Sequence, residues 1–191
     1  MLGGKTRSIN REDQLMKFIM LPLLLVPFIG FGQSSKQDSI WLPMKVFLGT
    51  WEGTGSGVPG IGKYERSYRF ILDRKFIEVK NKSVYPPSDK NPKGEVHEDL
   101  GYISYDKSRR RFILRQFHIE GFVNQYVLDS ISIDGRELVF VSEAIENIPT
   151  GWRAKERYEV SSTDEVTETF ELAPPKKSFD LYTRVTLKRT K

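Results

Sequence analysis

From Trp51 to the carboxyl terminus the chain is a succession of short segments in which apolar and polar residues alternate, each ended by Gly, Pro, Asn, Asp or Ser. A period of two sets successive side chains on opposite faces of an extended strand, whereas a helix repeats its apolar residues three and four apart. Tyr64, Tyr68, Phe70 and Leu72 share one face, with Glu65, Ser67 and Arg69 on the other. Further strands are expected from Phe76, over His97 to Tyr105, Arg111 to Ile119, Phe122 to Ile131, Leu138 to Ser142, Trp152 to Val160, Val166 to Leu172 and Phe179 to Arg189. Turns fall at Asp73-Arg74, Asp106-Lys107-Ser108 and Asp134-Gly135, the last a two-residue hairpin signal, and a polar loop runs from Pro86 to Gly94. With the Gly-rich segment after Trp51 the count is about ten. The fold class is therefore all-β, an antiparallel up-and-down barrel of about ten strands, because closure removes the edges that a flat sheet leaves unpaired. An open two-sheet sandwich is the alternative. A barrel of more than about eight strands encloses space that its side chains do not fill, so a lumen able to take a ligand is expected.

The strand that opens the series, Phe47-Leu48-Gly49-Thr50-Trp51-Glu52-Gly53-Thr54-Gly55-Ser56-Gly57, follows a short helical segment, Ile40 to Leu48, with Asp38-Ser39 as its cap and Pro43 in its first turn. Within it, Gly55-Ser56-Gly57-Val58-Pro59-Gly60 spells G-x-G-x-x-G. A dinucleotide site needs a helix to start at that loop and meet the phosphates. Here another strand follows, so the glycines are read as allowing strong strand curvature.

The amino terminus is of a different kind. Met16-Lys17, the apolar run Phe18 to Ile29 and Gly30-Phe31-Gly32 have the order of a secretory signal, basic then apolar then small. The run falls short of the roughly 20 residues that span a bilayer and holds two prolines, so stable membrane insertion is not expected once the signal is removed. Residues 1–32 are read as the signal, with 1–15 as an over-long start, 33–38 as a linker and 39–191 as one barrel domain, secreted or periplasmic. No cysteine is present, which excludes disulfides, thiolate metal ligands and a lipidated cysteine. Without residues 1–32 the chain holds 26 basic and 23 acidic residues, a net charge of +3, too little to point to nucleic acid. Nothing in the sequence fixes an oligomeric state.

No Ser/His/Asp set and no H-E-x-x-H motif can be assembled, so catalysis is not the expectation. The carboxylate pairs Glu98/Asp99, Glu143/Glu146 and Glu168/Glu171 read as a solvated face, and Lys107-Ser108-Arg109-Arg110-Arg111 reads as charged protection of a hairpin tip. His97 and His118 are the only imidazoles; His97 is assigned to a solvated rim, while both faces of the His118 strand are partly apolar and parity leaves its direction open. In the last strand Phe179, Leu181, Val185 and Leu187 form the inward face and Tyr182 and Arg184 the outward one. The expected lumen wall comprises Phe70, Leu114, Tyr126, Phe140 and Leu181, with Arg115 and His118 as polar anchors.

Leu48-Gly49-Thr50-Trp51-Glu52-Gly53-Thr54-Gly55-Ser56-Gly57, then Tyr64-Glu65, then His97-Glu98-Asp99-Leu100-Gly101-Tyr102 resemble the nitrobindin-like haem-binding β-barrels, which stand with lipocalins and fatty-acid-binding proteins in the calycin group. The resemblance implies a ten-stranded barrel with an apolar cavity and, in the haem-binding members, an iron ligand from a His late in the chain. This chain has no His after His118, and Tyr182 is the one substitute that residue type suggests. The expected function is thus binding of a small hydrophobic or amphipathic ligand in the lumen, without catalysis. Haem binding, with reactivity toward nitric oxide, is the second reading, and an envelope enzyme or a structural domain is the third.

Overall fold

A computed structural model of the chain describes residues 39–89 and 91–190. The signal segment, the linker and the proposed cap residue Asp38 lie outside the described residues. The alternating segments form ten strands among the described residues: β1 (Gly49–Gly57), β2 (Gly60–Ile71), β3 (Phe76–Tyr85), β4 (Glu95–Asp106), β5 (Arg111–His118), β6 (Val123–Ile131), β7 (Glu137–Glu146), β8 (Arg153–Ser162), β9 (Glu165–Ala173) and β10 (Asp180–Arg189). Each strand pairs antiparallel with the next, and β1 pairs with both β2 and β10, so the sheet closes into a barrel with no free edge.

Closure is tightest along β1. A Cβ on Gly53 would stand 2.0 Å from the Thr186 carbonyl oxygen, and one on Gly57 would stand 1.9 Å from that of Tyr182. The glycines of the G-x-G-x-x-G segment therefore let β1 curl against the β10 backbone where any side chain would collide. Val58-Pro59 then turns the chain into β2, with Gly60 at φ +109°.

One end of the barrel is plugged. The expected helix over 40–48 is mostly a 3-10 segment, Leu42–Phe47, that carries Pro43 in its first turn and buries Met44 and Phe47. Trp41 packs edge-on against Phe70 at 5.5 Å and against Phe112 at 5.2 Å, and Phe47 meets Tyr158 at 5.1 Å. Trp51 donates its indole N–H to the Phe47 carbonyl at 2.7 Å, while the Arg189 guanidinium lies 4.1 Å above its ring. Arg189 also donates to the carbonyls of Val46, Leu48 and Thr163, which ties the last strand to the plug.

The connection between β6 and β7 is not a two-residue hairpin: it runs over residues 132–136, because the Ser132 hydroxyl accepts from the amides of Arg136 and Glu137 and closes a longer turn. Leu72 does not continue the inward face of β2. It sits in the β2–β3 turn at φ +48° and is 70% exposed.

Side chains fill the middle of the barrel, where the apolar cavity was expected. A void able to hold a water would leave its lining partly exposed, yet Tyr126, Ile77, Leu138 and Val185 are 0% exposed and Phe140 1%. A hollow of about 840 Å³ does exist across β1 to β5, where outward residues such as Glu52, Lys80 and Phe117 line it together with Arg66, Asp99 and His118.

Candidate ligand site at the mouth of the barrel

The unplugged end is ringed by the turns after β1, β3, β5, β7 and β9. Toward it the inward positions change from apolar to polar. β3 supplies Asn81 and Ser83, β4 His97 and Asp99, β5 Gln116 and His118, β6 Asn124, and Arg66, Glu156 and Glu168 come from β2, β8 and β9.

These groups form two linked sets. Arg66 donates from Nε and Nη2 to both Glu168 oxygens, at 3.1 and 2.7 Å, and from Nη1 to the carbonyls of Glu65 and Lys82, so all three of its nitrogens are engaged. Asn81 donates to Asp99 at 2.7 Å. A second chain starts at the rim, where His97 Nδ1 lies 2.7 Å from Glu120 and His97 Nε2 lies 3.4 Å from His118 Nδ1. His118 Nε2 faces the Asn124 amide at 3.2 Å, and the same amide nitrogen donates to the Tyr126 hydroxyl at 2.8 Å. Deeper still, the Tyr158 hydroxyl donates to Glu156. Phe122 stacks on the His118 ring at 4.1 Å and fixes its plane.

Three carboxylates, Asp99, Glu156 and Glu168, share this interior with the Arg66 guanidinium. Burial raises Asp99 to about 6, against the opposing pull of Arg66 and His97. Burial first, and the Glu168 charge second, hold Glu156 well above the usual carboxylate range, so it keeps a proton where an exposed glutamate has lost one. Burial lowers His118 to about 4, with His97 adding to the effect. The interior is acidic and rich in acceptors. Asn81 Oδ1, Gln116 Oε1 and Asn124 Oδ1 are buried with no donor facing them. The register sets these three amides side by side with Asp99 across β3 to β6: Asn81 opposite Asp99, and Gln116 opposite Asn124.

Of the residues expected in the lumen, Leu114, Tyr126 and Phe140 point inward and are buried. Phe70 is half-buried beside the plug, at the end away from the mouth. His118 points inward at the mouth. Arg115 does not: it lies on the outer face and reaches Ser104 at 3.4 Å. Leu181 is 56% exposed, because a bulge between Leu181 and Thr183 shifts the phase of β10. The same bulge turns Tyr182 toward the mouth, half-buried and edge-on to Phe170 at 5.6 Å, while Arg184 faces out and pairs with Glu159. Asp99 and Glu168 are buried rather than on a solvated face, with side-chain exposures of 7% and 10%.

Arg66, Asp99, Glu156 and Glu168 were not among the expected site residues. Parity carried the signal: Arg66 shares the phase of Tyr64 and Tyr68, Glu168 that of Val166 and Phe170, and Glu156 that of Ala154 and Tyr158. A charge in phase with an apolar row marks an interior ion.

Haem does not fit these residues. His118 is hemmed in by His97, Asn124 and the stacked ring of Phe122, and Tyr182 is packed on Phe170, so neither has room beside it for a flat macrocycle.

No family model matches the chain, and no curated protein matches it. Among solved structures, the crystal structure of Rv2717c from M. tuberculosis is similar at a TM-score of 0.60, with 16% identity over 80% of this chain and 98% of that one. It shares the fold. A redesigned β-barrel, mFAP0, bound to DFHBI, is similar at a TM-score of 0.41, with 8% identity over 76% of this chain and all of that one.

Proposed function

We propose that the barrel is a non-catalytic binding protein for a small amphipathic molecule that enters at the mouth and carries hydrogen-bond donors or a positive charge at its inner end. The observation that supports this reading is the pair of donorless amide oxygens, on Asn81 and Gln116, near the buried carboxyl of Asp99. A buried acceptor without a partner costs about 1–3 kcal/mol, a cost that an incoming ammonium, amidine or hydroxyl group removes. The half-buried Phe122, Ile145, Phe170, Leu172 and Tyr182 surround the entry and suit an apolar body. The packed middle of the barrel confines the ligand to this upper part. An anion such as a fatty acid is disfavoured, since it would meet the Asp99 carboxylate while Arg66 is already paired with Glu168. Export rests on the amino-terminal sequence alone, and sequencing the mature amino terminus tests it.

The reading is tested by calorimetric titration of the full chain with an alkylammonium, an alcohol and a carboxylate of equal chain length. The alkylammonium is expected to bind most tightly, and Asp99→Asn to weaken it at least tenfold with the alcohol little changed. Equal affinity for ammonium and carboxylate, or no uptake of either, would overturn it.

A further inference from the structure

At the rim of the mouth His97 Nε2 and His118 Nδ1 face each other at 3.4 Å. That distance is long for a hydrogen bond between nitrogens. It matches the separation of about 3.3 Å between two nitrogens bound tetrahedrally to one zinc at about 2.0–2.1 Å. The rings are tilted by 38° with centroids 5.4 Å apart, so the two nitrogens meet at their edges rather than through stacked faces. His97, His118 and Glu120 each place one ligating atom within 4.8 Å of the others, and Asp99 Oδ2 approaches His97 Nε2 to 3.7 Å from the lumen side.

The hydrogen bonds behind the two rings set their tautomers. Glu120 at His97 Nδ1 accepts its N–H and leaves the Nε2 lone pair turned to His118. Behind His118 stands the Asn124 amide, whose oxygen is buried and without a partner while its nitrogen faces both His118 Nε2 and the Tyr126 hydroxyl. Which end of an amide is oxygen follows from its partners. With the amide turned over, Oδ1 accepts from His118 Nε2–H and from the Tyr126 hydroxyl, and Nδ2 takes the enclosed position that Oδ1 held. In that orientation His118 Nδ1 carries a lone pair aimed at that of His97, a pair of acceptors that a cation bridges; in the other, His118 Nδ1–H donates to His97 across the long 3.4 Å gap.

We infer that His97 and His118, with a carboxylate oxygen of Glu120, form a site for a first-row divalent cation of the zinc type at the mouth of the barrel. Glu120 is the mobile member. Its side chain is 43% exposed and can leave His97 to close on the ion, and Asp99 faces the same imidazole from within. Two imidazoles and one carboxylate favour zinc or cobalt over magnesium and calcium, which take oxygen ligands. The site leaves one tetrahedral position open at the entrance. It adjoins the donorless amides and does not depend on their having a ligand.

The test is titration of the metal-free full chain with Co2+ and Zn2+, read by the visible absorption of bound cobalt and by calorimetry, with Mg2+ as control. One ion per chain is expected, with a cobalt spectrum of nitrogen and oxygen ligation. His97→Ala and His118→Ala should each weaken binding at least 100-fold, and Glu120→Gln by 10- to 100-fold. Urea unfolding of each variant establishes that it is folded. Should either alanine variant fail to fold, His97→Gln or His118→Gln takes its place. Absence of a cobalt spectrum in the folded wild-type chain, or loss of binding with only one of the two His variants, overturns the proposal.

Discussion

Arg66 on β2 and Glu168 on β9 meet across the barrel interior as a bidentate pair, with Nη2 to Oε1 at 2.7 Å, although β1 and β10 stand between their strands. The inward positions of β1 beyond Trp51 are glycines, so that strand places no side chain between the two. Burial by itself would lower the Arg66 pKa, but the Glu168 charge and hydrogen bonds outweigh it and raise it. Removing one member leaves the other charged and enclosed. Glu168→Leu is expected to cost about 3–5 kcal/mol, while Arg66→Met combined with Glu168→Leu recovers most of that. Urea unfolding of the four members of this cycle measures the coupling.

A methyl group on Gly53 would sit 2.0 Å from the Thr186 oxygen, inside the van der Waals contact of the closing strands. Gly53→Ala should therefore destabilise the fold by about 3 kcal/mol, as overpacking does when backbone must move. Gly121, where nothing lies within 4 Å of the added Cβ, is at φ +88°, so its substitution by Ala carries only the conformational penalty of about 1–2 kcal/mol. The difference between the two variants in thermal unfolding checks that closure, rather than backbone freedom, is what β1 requires.

The bulge in β10 separates two neighbours that parity alone would have exchanged. Leu181→Ser, on the outer wall, should change stability by less than about 0.5 kcal/mol. Tyr182→Ala should remove the edge contact with Phe170 and weaken uptake of an amphipathic amine severalfold, with unfolding changed by about 1 kcal/mol. Paired denaturation and calorimetry on the two variants read this directly.

Strand number, order and closure followed from alternation because every strand of this barrel has one buried face, and a period of two leaves little freedom. Leu114, Tyr126 and Phe140 fell on the correct side for that reason. Leu181 and Tyr182 did not, since a bulge inserts a residue and inverts the phase without leaving a mark in composition. The parity of Arg115 and His118 was undecidable from β5 itself, where Ile113 is buried though it lies on the outward side, so both faces look apolar. The acidic interior was hidden differently. Asp99 beside Glu98 and Glu168 near Glu171 look like solvated pairs in a linear reading, and only the register that brings Arg66 and Asn81 to them shows otherwise. That the lumen is packed depends on how ten rows of side chains interdigitate, which no single strand records.

Asp99 and His118 give the protein opposing responses to acid. His118 is held at about 4 in the fold, below its ordinary value near 6.5, so the unfolded chain binds the extra proton first and stability falls as pH drops from about 6.5 toward 4. Asp99 is raised to about 6 from an ordinary value of 3.8, so the folded chain takes up its proton first and stability is lost as pH rises from about 4 through 6. Across the shared window from about 4 to 6 the two contributions run against each other and flatten the profile. Separating them exposes each slope. His118→Gln should lie about 1 kcal/mol below the wild type at pH 7, where the imidazole's hydrogen bonds are lost, and close or reverse that gap by on the order of 2 kcal/mol at pH 4.5. Asp99→Asn should do the opposite, gaining on the wild type as pH rises, because the amide never becomes a buried anion. Urea midpoints for the three proteins at half-unit steps between pH 4 and 7.5 decide the matter. Parallel profiles would mean that neither group changes its protonation between the folded and unfolded chain, and the acidic reading of the interior would fall with them.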